Sequence, residues 1–341
     1  MASPLDVSGL PFIILANVEE LALVLHLAGI DSVHSLILPR MGQRPHNVVI
    51  RPPYPTDIVP LIPEFLNRRR LGFTYALRVM EELGIDRPTY AFVVSGVALQ
   101  SDDGARLQDL FNPYPTTFDQ WDAAAASARG AGLAEDVGGR WRITPKGREL
   151  FTKVRREADA YLATLQPIPA KDIVHLAAQL ARALVAIESS GLPFDHMTRN
   201  ARLRGDGRVP MVALENALFG LWNARDDSHM SSWREAGFDG PTFDVLTRVW
   251  RNEAADDDEL AKKIPGQREG DVRAALSRLR VEGYVRSDAL ATTERGAGVR
   301  QQVEGETDRR FFEPWPDDLG AEAPRLGDRL RAINQALAPA P

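Results

Sequence analysis

The stretch RWRITPKGREL, from Arg140 to Leu150, predicts a short strand that runs directly into a helix. Alternating side chains precede Thr144, and the proline after it suits the first turn of a helix, where the backbone N–H needs no acceptor. A similar order of residues returns in LATTERGAGVR, from Leu290 to Arg300, which lacks the proline but keeps a threonine followed three residues later by glycine. The pattern therefore predicts that one local structure occurs twice in the chain.

The similarity extends well upstream of these two stretches. Three pairs of landmarks keep their order at separations of 153, 151 and 149 residues, namely Pro88 with Pro241, Gly132 with Gly283, and Gly147 with Gly296. Around them, each copy contains a proline-led apolar helix, a short helix, a turn, a longer helix and a polar hairpin. This is the order of elements in a winged helix-turn-helix, in which the hairpin is the wing.

The longer helix of each copy has apolar residues at the spacing of one helix face. In the second copy the face consists of Val272, Ala275, Leu276 and Leu279, and in the first copy we expect Phe118, Trp121, Ala125 and Ala128. The outward residues of the second copy are then Gln267, Gly270, Arg273, Ala274, Ser277 and Arg278. Those of the first copy are Gln120, Ala123, Ala124 and Ser127.

Both copies resemble the MarR-like winged-helix family, whose wing commonly ends in a strand and helix start of the form LTpkG. The match is good over 142–147 and weaker over 291–296, and the resemblance covers residues 66–165 and 238–335. RDDSHMSSWREAGFDGPTFDVLTRVW and the C-terminal sequence from VEGETDRRFF onward are also similar to an actinobacterial-type family of duplicated winged-helix proteins. The resemblance implies double-stranded DNA as a partner and a small-molecule effector held between the winged helix and the dimer helices.

The expected fold is mostly α-helical with small β wings, and consists of two tandem winged helix-turn-helix units joined by helices. The expected boundaries are 1–62 for a small α/β cap, 63–165 for unit 1, 166–237 for a helical connector, 238–312 for unit 2 and 313–341 for a C-terminal helix. That helix serves packing or dimerisation. Its apolar stripe predicts burial against a helix of the same chain or of a homodimer partner, and consists of Leu326, Leu330, Ile333 and Leu337.

Composition excludes several classes of site. The 341 residues include no cysteine, which removes disulfides, thiolate metal sites and a cysteine nucleophile. We expect no membrane span and no secretory signal, because no apolar run reaches eighteen residues and the N-terminal apolar stretch has no basic leader. A cytoplasmic protein is the expectation.

The net charge of −6 counts against nucleic acid as a partner unless positive charge is concentrated locally.

Positive charge is concentrated in the second copy. Between Lys262 and Arg300 the chain has nine lysines and arginines and five acidic residues, a local charge of +4. Arginine reaches phosphates and guanine edges, and small outward residues allow a helix to sit deep in a major groove. The predicted DNA-binding residues are Gln267, Arg268, Arg273, Ser277, Arg278, Arg280, Arg286 and Arg295. The alternative is an ordinary solvated surface, and the first copy, with acidic Asp119 and Asp122, is expected to be a scaffold.

Aromatic residues between the copies suggest either an effector pocket or simply core, and they are Trp222, Trp233 and Trp250 together with His229. Asp226 and His229 are three residues apart on a predicted helix, a spacing that can hold a metal. A helix cap, or an ion pair with Arg225 or Arg234, is the preferred interpretation. We predict no metal, no cofactor and no catalytic residue, because no nucleotide-binding, hydrolase or metalloprotease motif is present.

The preferred function is a DNA-binding transcriptional regulator of the winged-helix type, with or without a response to a small molecule. An interaction or scaffold protein that kept the fold without binding DNA is the first alternative. A tandem winged-helix DNA glycosylase is the second, and it requires an acid/base pair between the copies that the sequence does not reveal.

Overall fold

The computed structural model describes residues 54–99, 103–110, 113–192 and 195–338. The cap predicted for residues 1–62 lies outside the described residues up to residue 53. Within the rest of that range, a 3-10 turn (Thr56–Ile58) leads into the first helix, and both bury side chains in a helical core. The end of the predicted cap is therefore part of the main body of the protein.

The N-terminal segment contains six helices and one hairpin in its described residues. They are α1 (Leu61–Arg68), α2 (Tyr75–Leu83), α3 (Arg87–Leu99), α4 (Leu107–Leu110), α5 (Asp119–Gly130), β1 (Ala134–Asp136), β2 (Trp141–Ile143) and α6 (Pro145–Ala163). The two strands pair antiparallel, with Ala134 opposite Ile143.

The remaining described chain is helical. Its elements are α7 (Ala170–Glu188), α8 (Asp195–Asn200), α9 (Pro210–Glu235), α10 (Gly240–Arg251), α11 (Asp257–Lys263), α12 (Glu269–Val281), α13 (Glu294–Phe312) and α14 (Asp317–Ala336). The order from α10 to α13 repeats the order from α3 to α6. Between α12 and α13 the chain forms a single antiparallel bridge, Val285 with Thr292, in place of a two-stranded ladder. The bridged residues are seven positions apart, against nine for Ala134 and Ile143 in the hairpin.

Helix α9 is the longest helix described, and it packs against α1, α6, α7, α8, α10 and α13. Its N-terminal half belongs to an apolar cluster with α1, α7 and α14. Its C-terminal end, through Trp233, enters a second cluster made by α10 to α13. A third cluster fills the space between α3, α5, α6 and the hairpin. Among the residues described, none of the helices combines the length and apolar character needed to cross a membrane.

Three of the four residues of the apolar stripe of the C-terminal helix are buried within the chain, and Leu337 is half-buried. Leu326, Leu330 and Ile333 are all fully buried, and α14 packs against α1 and α7. The contact that covers this stripe is therefore intramolecular, and dimerisation is not needed to protect it.

The threonine–glycine pair of the first copy closes the hairpin onto the following helix. The Oγ1 of Thr144 accepts a hydrogen bond from the Gly147 N–H at 3.2 Å and donates to the carbonyl of Gly132 at 2.8 Å. A Cβ at Gly147 would lie 2.3 Å from the carbonyl oxygen of Leu133. Threonine is required as cap and glycine for close approach, which explains the sequence TPKG.

The second copy repeats this geometry without the proline. The Oγ1 of Thr293 accepts from the Gly296 N–H at 3.1 Å and donates to the carbonyl of Gly283 at 2.7 Å. A Cβ at Gly296 would lie 2.0 Å from the carbonyl oxygen of Tyr284. The hydrogen bonds of Thr293 thus match those of Thr144.

The buried face of α12 is the predicted one, formed by Val272, Ala275, Leu276 and Leu279. In α5 the buried residues are Trp121, Ala124, Ala125 and Ala128. The prediction that Ala124 faces outward is therefore wrong, and Phe118 lies just before the helix. Each buried residue of α5 stands 151 positions before its counterpart in α12, so the stripe begins at Trp121.

Replacing Gly296 with alanine should lower the free energy of unfolding by about 1–3 kcal/mol, because the added methyl group meets a backbone carbonyl and forces the hairpin to shift. Gly298 lies in the same helix and is exposed, and a Cβ added there would meet nothing within 4 Å. Gly298→Ala should therefore raise the free energy of unfolding by roughly 0.5–1 kcal/mol. Urea denaturation followed by circular dichroism measures both variants. Equal effects of the two substitutions would contradict the close approach at Gly296.

Candidate nucleic-acid interface

Helix α12 is presented to solvent by the helices beneath it. Before it, Asp256 caps α11 by accepting from the Glu259 N–H at 2.8 Å, and Gly266 turns the chain with a φ of +71°. Glycine adopts this left-handed conformation at little cost. With its apolar stripe buried against α10 and α11, α12 exposes Gly270, Arg273, Ala274 and Ser277, which we call the reading face.

Gln267 does not belong to the reading face. It is buried, and its Nε2 donates to Asp244 Oδ2 at 3.2 Å. The prediction that Gln267 points outward is therefore wrong. The reason is local: α12 begins at Glu269, so Gln267 lies in the preceding turn, where helical periodicity does not decide the direction of a side chain.

Four of the predicted DNA-binding arginines form ion pairs with aspartates. The pairs are Arg273 with Asp258, Arg278 with Asp239, Arg280 with Asp257, and Arg286 with Asp288. Three of these aspartates precede Lys262 in the sequence. Including residues 256–259 adds four acidic and no basic residues, so the local charge of +4 falls to zero. The positive charge of this surface is therefore balanced by residues outside the segment that suggested it.

The other two predicted arginines differ in their surroundings. Arg268 is exposed, and its side chain makes no hydrogen bond or ion pair with the described residues. Arg295 lies over the ring of Tyr284 at 4.5 Å and donates to the carbonyl of Glu282 at 2.9 Å, at the C-terminal end of α12. A cation in this position satisfies terminal carbonyls of a helix. Ser277 is exposed, as predicted.

The turn before α5 docks directly on the turn before α12. The N–H groups of Thr116 and Thr117 donate to the carbonyl of Gly266 at 2.8 and 3.0 Å. In return, the Arg268 N–H donates to Thr116 Oγ1 at 2.9 Å. A Cβ on Gly266 would lie 3.4 Å from Pro115, the residue 151 positions earlier. The two longer helices therefore start side by side.

This arrangement limits how the protein can use two such helices. Paired reading helices of helix-turn-helix dimers enter successive major grooves about 34 Å apart. Helices whose preceding turns share hydrogen bonds cannot reach that separation. Both helices carry two exposed acidic residues in the first turn, Asp119 and Asp122 in α5 and Glu269 and Asp271 in α12. They differ further along, where α12 has the exposed Arg273 and Arg278 and α5 has Asp122 and Ser127 at the positions 151 residues earlier. Of the two helices, only α12 has exposed arginines in its central turns.

The residues of the predicted effector pocket fall into two groups. Trp222 packs against the cluster around the N-terminal half of α9. Trp233 stacks on Phe243 with ring centroids 6.4 Å apart, and the His229 ring meets the same phenyl group edge-on at 5.5 Å. Trp250 packs separately against Arg300, with 5.1 Å between the guanidinium carbon and the ring centroid. His229, Trp233 and Trp250 are therefore close together, linked through Phe243 and Arg300, whereas Trp222 lies in a different cluster.

Arg300 is the central residue of that group, although in the sequence it stands out only as one of the nine basic residues between Lys262 and Arg300. Its guanidinium is buried between the rings of Phe243, at 5.3 Å, and Trp250, and it pairs with Glu304 at 2.6 Å. Burial, reinforced by the positive charge of Arg300, lowers the pKa of His229 to about 3. His229 is therefore neutral at physiological pH. The spacing of Arg300 and Glu304, four residues apart on one helix, is the signal that could have revealed the pair.

One of the two neighbouring aspartates on α9, Asp227, caps the start of α8. Asp227 accepts hydrogen bonds from the N–H groups of His196 and Met197, at 3.1 and 2.9 Å, and lies 2.7 Å from His196 Nδ1. It thereby holds the start of α8. Burial raises the pKa of the neighbouring Asp226 to about 7, and Asp227 adds to this effect. The described residues include no group of three or more histidine, cysteine or acidic side chains placed to hold a metal ion.

Asp226 should make folding stability fall as pH rises from about 4 to 7. The folded protein keeps the carboxyl protonated up to about pH 7, whereas the unfolded chain loses the proton near its ordinary pKa, so the unfolded state is favoured as pH rises. Asp226→Asn removes this contribution. The free energy of unfolding of the variant relative to the wild type should therefore be higher at pH 8 than at pH 5, as measured by urea denaturation.

The control for this measurement is Asp318→Asn. Asp318 is exposed and its pKa is lowered by the hydrogen bond from Arg182, so its effect should be constant between these pH values. An Asp226→Asn difference that does not change with pH would show that the carboxyl is ionised in the folded protein.

Comparison with known proteins agrees with the helical architecture around α12. The model of a helix-turn-helix family matches residues 166–340, slightly more than half of the chain. This range begins just before α7 and includes every helix from α7 to α14. No curated protein and no solved structure matches the chain. The chain belongs to this helix-turn-helix family.

Proposed function

We propose that the protein is a DNA-binding transcriptional regulator in which α12 enters the major groove of double-stranded DNA. The observation that carries the proposal is the reading face itself. Gly270, Ala274 and Ser277 form a strip of small exposed residues, with Arg273 beside it and Arg268 just before the helix. Small residues allow close approach to base edges, and arginines at the helix start reach guanine or phosphate.

The ion pairs on this surface do not prevent binding. In the pair of Arg273 with Asp258, 44% of the arginine side chain and 72% of the aspartate side chain are exposed. Exposed pairs of this kind contribute about 0–1 kcal/mol, so a phosphate can replace the aspartate at little cost. Because the whole chain has a net charge of −6, we expect its affinity for DNA to be modest and to fall as the salt concentration rises.

We also propose that the two segments are MarR-like winged helix-turn-helix units that arose by duplication. Support comes from the shared order of elements, the offset of 151 residues between buried faces and the repeated threonine–glycine geometry. In this proposal the first unit is a scaffold, because its longer helix has Asp122 and Ser127 where α12 has Arg273 and Arg278, and because its turn supports the turn before α12.

Effector binding has weaker support than DNA binding. His229, Trp233 and Trp250 contact Phe243 or Arg300 of the same chain, which favours the interpretation that they are core. An interaction protein without DNA contacts is the second candidate function. It is favoured by the four ion-paired arginines, which would need no other partner.

The experiment that separates these functions is a fluorescence anisotropy titration with random duplex DNA at low salt. Arg268→Ala/Arg273→Ala should weaken binding and reduce the slope of log affinity against log salt by about one for each phosphate that is no longer bound. Arg278 is left unchanged because it contacts Asp239, the cap of α10.

The matched control is Arg331→Ala on α14. Its pair with Asp328, with side chains 48% and 76% exposed, closely resembles the pair of Arg273 with Asp258. The control should leave affinity within twofold of the wild type. Wild-type protein that binds no duplex even at low salt would overturn the proposal in favour of the interaction protein. Equal reductions of affinity in both variants would place the DNA-binding surface elsewhere.

A further inference from the structure

Two exposed valines lie on the same face of α7. The described residues contain four exposed large hydrophobic side chains, which are Val137, Val174, Val185 and Val281. Val174 and Val185 are 51% and 58% exposed and stand eleven residues apart, which at 100° per residue places them within about 20° of each other around the helix. Half of the exposed large hydrophobic residues described are thus concentrated on one stripe.

Ala178 and Ala181 complete this stripe. Both are exposed, and with the valines they form a spacing of four, three and four residues, which we call the α7 stripe. The opposite face of α7 is fully buried against the body of the protein through residues such as Leu176 and Leu180. A spacing of this kind forms a narrow apolar seam between two packed helices. Within the described chain, α7 uses its other face for packing, and the α7 stripe faces solvent.

We propose that the α7 stripe is the contact between two copies of this chain, with the two α7 helices antiparallel. A twofold contact is self-complementary: where one residue of the first copy meets a different residue of the second, the reverse contact is formed as well. The α7 stripe reads valine, alanine, alanine, valine in both directions. Antiparallel pairing therefore places Val174 opposite Val185 of the partner subunit, and Ala178 opposite Ala181 of the partner subunit. The central alanines allow the helix axes to approach closely.

The charges at the ends of the α7 stripe favour this orientation. Lys171 lies one turn before Val174, and Glu188 lies one turn after Val185; both are exposed. Antiparallel pairing brings Lys171 next to Glu188 of the partner subunit, and the twofold axis generates this pair twice. Parallel pairing would instead bring like charges together. Lys171 makes no ion pair with the described residues, whereas Glu188 is already in contact with Arg204 at 3.1 Å.

The positive charge beside the α7 stripe is neutralised within the chain. Arg182 borders the stripe and is paired with Asp318 of α14 at 2.8 Å. Its charge is thus balanced within its own chain, so the second copy does not need to neutralise it. The occupant that fits an apolar, self-complementary stripe with opposite charges at its two ends is a second copy of the same helix.

Disulfide cross-linking tests both the contact and its orientation, because the chain contains no cysteine. Val174→Cys and Val185→Cys are made separately, one with a size tag, and mixed under mild oxidation. Antiparallel pairing predicts that the mixed disulfide exceeds the half of cross-linked product that random collision gives.

The oligomeric state provides an independent measurement. Light scattering after size exclusion should give twice the chain mass of 37.7 kDa for the wild type. Ala181→Glu, at an exposed site, should shift the protein to monomer without loss of helical content. Val281→Glu is the control, because Val281 is 86% exposed on a different helix, and it should remain a dimer.

Several outcomes would overturn the proposal. A wild-type monomer at all concentrations would exclude a contact between two copies. Same-residue disulfides in preference to the mixed product would show parallel pairing. A dimer that survives Ala181→Glu would place the contact elsewhere. None of these measurements involves DNA, so their failure is distinct from failure of the proposed function.

Discussion

The arrangement of the chain depends on the buried carboxylate of Glu215. It lies on α9 and accepts hydrogen bonds from Arg69 and Arg70, which follow α1, and from Arg155 of α6, the last at 2.6 Å. Burial opposes ionisation, but the three guanidinium groups hold the pKa of Glu215 well below its usual range. Removing one partner of such a buried group costs about 3–5 kcal/mol, because the remaining charges are left uncompensated. The N-terminal segment is thereby fixed to the central helix.

The same helix extends this constraint to the rest of the molecule. Downstream of Glu215, Asp227 holds the start of α8, and Trp233 donates to the hydroxyl of Tyr114 at 3.1 Å. Tyr114 belongs to the turn that docks beneath α12 through Thr116. The position of the reading face therefore follows from a chain of contacts that begins at a buried ion pair on the far end of α9. A rigid support of this kind is what a helix that enters a groove requires.

Local structure could be predicted from the sequence, whereas the distribution of charge could not. The caps at Thr144 and Thr293 depend on a glycine three residues away, and the buried face of α12 depends on helical spacing. The aspartates that pair with Arg273 and Arg278 lie 15 and 39 residues before them, and only tertiary structure brings them together. The direction of the Gln267 side chain does not follow from helical spacing, because Gln267 lies in the turn before α12. Arg300 resembled a surface charge because the aromatic rings around it come from another helix.

The docked turns have a consequence for how such a protein could recognise a symmetric DNA site. One chain contains two similar longer helices, but they start side by side and cannot occupy successive major grooves. The second helix therefore cannot serve as the second half of a dimer within the chain. A twofold-symmetric site would need α12 of a second copy, whose distance is set by another surface. The face of α7 that the described residues leave uncovered provides that contact, in the dimer proposed above, without using the turns on which α12 depends.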